Sequence, residues 1–151
     1  MTEGLLLPSG EPFATGVSSY LDARPEHREP LPRIYLEFQP GGADRSFVAL
    51  LDTGGHYCIL QPDVAAQVED HLTDRLTPAG LHTAHGTIRG ELYRHRITLL
   101  AQRGESLEID ATIFVSSDWR GPNILGYTGA LDRIRFAIDP GGNWAYFGPL
   151  V

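Results

Sequence analysis

The sequence predicts an all-β fold, a small barrel-like domain with one or two short helices. Apolar or alternating runs of strand length recur, such as Ile34-Tyr35-Leu36-Glu37-Phe38 and Ser46 to Leu51. Turn clusters such as Gln39-Pro40-Gly41-Gly42 separate them. Only the stretch after Pro62 repeats apolar residues at helical spacing. Short strands with frequent turns fit a small, mostly β barrel-like domain.

Residues 1–32 are rich in Pro, Gly, Glu and Ser, and Pro8, Pro12, Pro25, Pro30 and Pro32 interrupt any regular element. This segment is expected to be an N-terminal arm or linker, open to processing, and residues 33–151 the folded domain. The runs Ile34 to Phe38 and Ser46 to Leu51 form a predicted hairpin. Pro62 suits the first position of a helix, and Val64, Ala65, Val68 and Leu72 extend it to about Leu76. Ala84-His85-Gly86-Thr87-Ile88-Arg89-Gly90 has the glycine spacing of a mobile hairpin. Strands are expected over Arg96 to Ala101 and Leu107 to Val115, then at Asn123-Ile124-Leu125-Gly126. A turn or short helix over Thr128 to Asp132 precedes two closing strands, the first being Arg133 to Asp139.

Composition removes several function classes. The net charge of −7 argues against a general nucleic-acid binder, which needs a basic face. All 12 basic residues are Arg, so Schiff-base chemistry on lysine is excluded. A single Cys allows no internal disulfide framework. No apolar run approaches the length of a membrane span, and Leu5-Leu6-Leu7 is too short for a signal-peptide core. The expectation is a soluble, cytoplasmic protein of a reducing compartment.

The most informative stretch is Ala49-Leu50-Leu51-Asp52-Thr53-Gly54. Phe47 to Leu51 has no polar face, which suits a strand buried on both sides. A carboxylate at its end must be hydrogen-bonded, paired or functional. Gly54-Gly55 then lets the backbone turn sharply beside whatever the acid touches. The plainer reading of the same residues is an Asp that caps its own turn.

Asp-Thr-Gly, the later Ile124-Leu125-Gly126 and the glycine hairpin between them resemble the retropepsin-like aspartic proteases, single-domain relatives of pepsin. The resemblance covers roughly Ile34 to Tyr146. It implies a retropepsin-like barrel in which Asp52 is the catalytic acid. Thr53 would tie two active-site loops together, and Gly54 would face substrate with its backbone. Gly126 would support the site from the second motif. The hairpin would be a flap, with His85, Gly86, Thr87 and Ile88 meeting substrate from its tip and Gly55 and His56 meeting it from below. Retroviral members carry Ala where this chain has Gly55, Asp where it has His56, and Arg where it has Tyr127. That Asp and Arg pair with each other, so losing both leaves no orphaned charge. Cys58 replaces a usual Ser or Thr and is expected to be a small buried thiol.

Aspartic protease chemistry requires two carboxyls that share a proton. This chain has one Asp-Thr-Gly, so the resemblance implies a two-fold homodimer in which each subunit supplies Asp52. Asp139 lacks the Thr/Ser-Gly context, since Pro140 follows it, and is expected to be a turn residue. The histidines His82, His85 and His95 lack an acid at ligand spacing, which favours solvated or hydrogen-bonded side chains over a metal site. No Gly-x-Ser-x-Gly elbow and no phosphate-binding loop occurs, and nothing calls for a cofactor. Flap histidines would tune activity near neutral pH.

The expected function is therefore an aspartic endopeptidase acting on extended polypeptide segments. Its rival is a catalytically weak or inactive peptide-binding or assembly module, which His56 and Tyr127 favour. A proenzyme whose first thirty or so residues block the cleft is a further possibility.

Overall fold

The structure, a computed structural model, describes residues 6–21 and 33–150. Strands account for 58% of the described residues and helices for 9%, so the chain is a mostly β protein. The expected hairpin is present as β2 (Tyr35–Pro40) and β3 (Phe47–His56), paired antiparallel with Phe38 opposite Phe47. The turn closes on Pro40, whose carbonyl accepts the Ala43 N–H at 3.0 Å. Strand β4 (Cys58–Ile59) leads into helix α1 (Pro62–Gln67). Proline sits at its first position, where no N–H is needed.

The helix does not reach Leu76. It ends at Gln67, a 3₁₀ turn follows at Glu69–His71, and Asp74 already belongs to β5 (Asp74–Thr83). The helical repeat is buried only through Val64, Ala65 and Val68. Beyond it, pairing with β6 (Gly86–Leu99) decides the backbone. The glycine-bearing hairpin is thus far longer than its glycines, and the separate strand expected over Arg96 to Ala101 is the end of β6. Strands β7 (Arg103–Gly104), β8 (Leu107–Val115) and β9 (Asn123–Thr128) follow, then a 3₁₀ turn at Leu131–Arg133. The chain closes with β10 (Ile134–Asp139) and β11 (Trp144–Pro149). Asp139, expected to be a turn residue, is the last residue of β10 and caps the turn after it, with Oδ1 accepting the Gly141 N–H at 3.0 Å.

A 7-stranded sheet runs β2-β3-β9-β4-β8-β6-β5, and an extra pairing of β2 with the end of β6 curls it back on itself. A second, 4-stranded sheet runs β10-β11-β1-β7, where β1 is Gly16–Ser19. This corrects the arm expected over residues 1–32. Gly16 to Ser19 pair antiparallel with Phe147 to Trp144, and Tyr20 is buried in the main core. Four residues of weak strand character are held there by partners more than a hundred positions away, a long-range cause that overrides local propensity. The expected boundary at residue 32, with Pro25, Pro30 and Pro32, lies outside the described residues.

The main core gathers Leu36, Phe38, Ala49, Val64, Ile97 and Phe147 with their neighbours. A smaller cluster holds Ile59, Leu92, Phe114 and Ile124. Strand β3 stands between them: Ala49 and Leu51 meet the main core, and Leu50 meets the second cluster. This explains a strand without a polar face, although it is not buried on both sides throughout, because Val48 is exposed.

Candidate active site

Strands β3 and β9 lie side by side and parallel, with Ala49 opposite Asn123, Leu50 opposite Ile124, Leu51 opposite Leu125 and Asp52 opposite Gly126. Both are apolar and packed, so the carboxylate of Asp52 hangs from a rigid double strand. Gly126 also lets the connection from β3 to β4 pass close over β9. A Cβ there would lie 1.9 Å from the Tyr57 carbonyl oxygen, where only a missing side chain fits.

Asp52 is not at the strand end. Strand β3 continues to His56, but the register shifts, so Thr53, Gly54 and Gly55 pass between the Asp52–Gly126 and His56–Thr128 pairs. A bulge of this kind re-aims side chains. Within it the Gly54 N–H donates to Asp52 Oδ1 at 3.0 Å. A Cβ at Gly55 would stand 3.0 Å from Asp52 Oδ2, so glycine keeps that oxygen uncrowded. Asp52 is half-buried, and Thr53 and His56 are exposed. The Thr53 hydroxyl makes no hydrogen bond among the described residues. The His56 ring lies against Tyr57, centroids 6.0 Å apart.

Asp52 and Thr53 open on a cleft of about 600 Å³, also walled by Arg33, Leu50, Phe136 and Ile138. None of these four was foreseen from sequence as a site residue, because β10 and residue 33 reach the cleft only through the tertiary fold. Leu50 alone carried a signal, as the residue two before the acid and on the same face of the strand.

The β5–β6 hairpin places Ala79, Leu81 and Ile88 against the second cluster, the one that includes Leu50 and Ile124. Its underside is therefore apolar and packs on the cluster that Leu50 joins. The tip is exposed. The Thr83 hydroxyl donates to the Gly86 carbonyl at 2.8 Å and accepts the His85 N–H at 3.2 Å, and His82 Nδ1 lies 3.0 Å from Thr87 Oγ1. These bonds stay within the hairpin, so the tip residues His85, Gly86 and Thr87 are grouped with each other rather than with Asp52. Gly86 has φ +117° and earns its glycine. Gly90 does not act as a second flexible point, since a Cβ there would meet the Val115 carbonyl at 2.4 Å and the Phe114 ring at 2.8 Å.

Asn123, at the head of the second motif, is a buried clip. Its Oδ1 accepts the Gln61 N–H at 2.7 Å, and its Nδ2 donates to the Val48 carbonyl at 3.2 Å. It joins β3, β9 and the start of α1 at the level of Ala49, three residues before the acid. Trp119 Nε1 donates to the Pro122 carbonyl at 2.8 Å and fixes the approach to β9. Cys58 is buried, as expected, and burial pushes its thiol up to about 12. It is no nucleophile.

His95 Nε2–H donates to the Gly41 carbonyl at 2.8 Å and so serves the β2–β3 turn. Among the described residues no group of His, Cys, Asp and Glu is placed to hold a metal ion, and no helix is long and apolar enough to cross a membrane. Compared with known protein families and with curated proteins, the chain matches none.

Proposed function

We propose that the chain is a retropepsin-like aspartic endopeptidase that acts as a two-fold homodimer, each subunit contributing Asp52. The observation that carries the reading is the pairing of Asp52 with Gly126 on adjacent parallel strands, which holds a half-buried carboxylate rigidly at an open cleft. Three features support it. The long hairpin has an apolar underside facing the cluster that contains Leu50 and Ile124. The Thr53 hydroxyl is exposed beside the acid, where a second subunit could bond it. Gly55 leaves the second oxygen of Asp52 uncrowded.

In the dimer the two carboxyls share one proton. One accepts a proton from the attacking water as the water oxygen bonds to the scissile carbonyl carbon; the other protonates the developing oxyanion, and a proton then passes to the departing amine. Close like charges cannot both ionise easily, so the titration belongs to the pair. An extended peptide beneath the hairpin fits the recognition of a strand by backbone contacts, and hairpin closure would exclude water.

The bond from the Gly54 N–H to Asp52 Oδ1 favours a second reading, in which the acid caps its own turn and the domain binds peptide without cleaving it. Mixing decides between them. Wild type is titrated with Asp52→Asn while cleavage of a random peptide mixture and sedimentation are followed from acidic to neutral pH. A shared dyad leaves about a quarter of the activity in an equal, fully exchanged mixture, whereas self-sufficient protomers leave about half. Wild-type dimers without cleavage at any pH would refute the enzyme and leave the binding module.

A further inference from the structure

Away from Asp52, a second hollow of about 230 Å³ opens between α1 and the β6 and β8 strands. It shares no lining residue with the Asp52 cleft. Its apolar walls come from Ala65, Leu72 and Val115, and the exposed Glu69 and Ser117 stand with Tyr93 at its polar side.

Two of the polar groups there, Tyr93 and Glu69, offer lone pairs rather than protons. The Tyr93 hydroxyl donates its hydrogen to Glu91 Oε2 at 2.9 Å, which leaves the oxygen only to accept. Glu69 makes no ion pair among the described residues. Arg75 is already engaged with Glu91 at 2.7 Å. The hydrogen bond to Glu91, burial and the charges of Glu91 and Glu69 raise the Tyr93 phenol above its ordinary value, which places Glu69 in the field of that hydroxyl.

A small apolar hollow edged by acceptors and a free carboxylate suits a ligand with a methylene stem and a positively charged donor head. We propose that it binds the side chain of a lysine on a partner polypeptide. The stem packs on Ala65, Leu72 and Val115, and the ammonium donates to the Glu69 carboxylate and the Tyr93 oxygen. At about 30 Å³ per water the volume equals roughly eight waters, enough for a butylammonium stem. A compact ammonium suits acceptors converging from different directions better than a planar guanidinium does. This chain contains no Lys, so another copy of it cannot supply the side chain. The site stands whether or not Asp52 cleaves peptides.

The test is a backbone-amide NMR titration of the full chain with n-butylammonium and, separately, with 1-butanol, for wild type and Glu69→Gln. Butylammonium is expected to shift Glu69, Leu72, Tyr93 and Ser117 saturably, and Glu69→Gln to weaken it roughly two- to fivefold. The alcohol should bind more weakly than the amine. The proposal is overturned by absence of saturable shifts at these amides, by equal amine affinity in Glu69→Gln, or by an alcohol that binds as tightly as the amine.

Discussion

Replacing Gly126 by Ala tests how closely the β3–β4 connection passes over β9, beside the Asp52 pairing. The added Cβ would meet the Tyr57 carbonyl oxygen at 1.9 Å, its carbonyl carbon at 2.7 Å and its nitrogen at 3.0 Å. All three atoms are backbone, so no rotamer change relieves the clash. Relief requires β9 to part from the β3–β4 connection. Overpacking of this kind costs about 1–3 kcal/mol where side chains can shift, so about 3 kcal/mol or more is expected where they cannot. For a domain of this size that lowers the melting temperature by roughly 6–12 °C. Thermal unfolding followed by circular dichroism measures it, with Gly54→Ala alongside. A Cβ at Gly54 would lie 3.6 Å from Asp52 Oδ1, an ordinary contact, so that variant should lose less than about 1 kcal/mol. A Gly126→Ala protein that melts within about 2 °C of wild type would refute the close-approach argument.

Three further outcomes are expected. Because the folded Cys58 thiol titrates at about 12 against 9.0 unfolded, its contribution to stability is present below pH 9 and lost as pH rises toward 12. The urea midpoint of wild type should therefore fall faster than that of Cys58→Ala over this interval, and parallel curves would contradict it. Asn123→Ala strips partners from the Gln61 N–H and the Val48 carbonyl and should cost about 2–3 kcal/mol in urea unfolding; a loss below about 0.5 kcal/mol would mean that other groups or water take over both bonds. A form starting at Arg33 removes β1 and Tyr20 and should lose about 3 kcal/mol or more, so unchanged stability would show that β1 is dispensable.

What was legible in the sequence was local. The β2–β3 hairpin announced itself through Pro40-Gly41-Gly42, α1 through Pro62, and the turn after Asp139 through Pro140, because each depends on the conformational preferences of its own residues. What was not legible depends on distant partners. Gly16 to Ser19 is a strand only because Trp144 to Phe147 lies beside it. The helical spacing after Val68 gave way to a strand because β6 offered a ladder to Asp74 and its successors. Gly90 resembled a hinge by spacing, and only the position of Phe114 reveals a packing requirement. The candidate site divides in the same way: Asp52, Thr53, Gly54 and Gly126 could be read from motifs, whereas Phe136 and Ile138 reach the cleft through the second sheet and Arg33 from the segment before β2.

The position of β3 also explains why an acid can sit where it does. A strand bordering one core would show its acid to solvent on the opposite face, free to move with the strand edge. Here Ala49 and Leu51 are held in the main core, Leu50 in the cluster shared with the hairpin, and β9 pairs along the strand up to Asp52 itself. The bulge begins directly after that pair, at Thr53, and pairing resumes at His56 opposite Thr128. Rigidity therefore extends up to Asp52, and the bends needed to expose Thr53 and turn the chain lie beyond it. Asn123 strengthens the same point from behind by bonding β3 and the start of α1 at once. An acid meant only to cap its own turn would not require this support, because the Gly54 N–H and the local backbone suffice for that role. Support on three sides of this kind is what the proposed dyad would need, because the position of one carboxylate relative to another determines whether a proton can be shared.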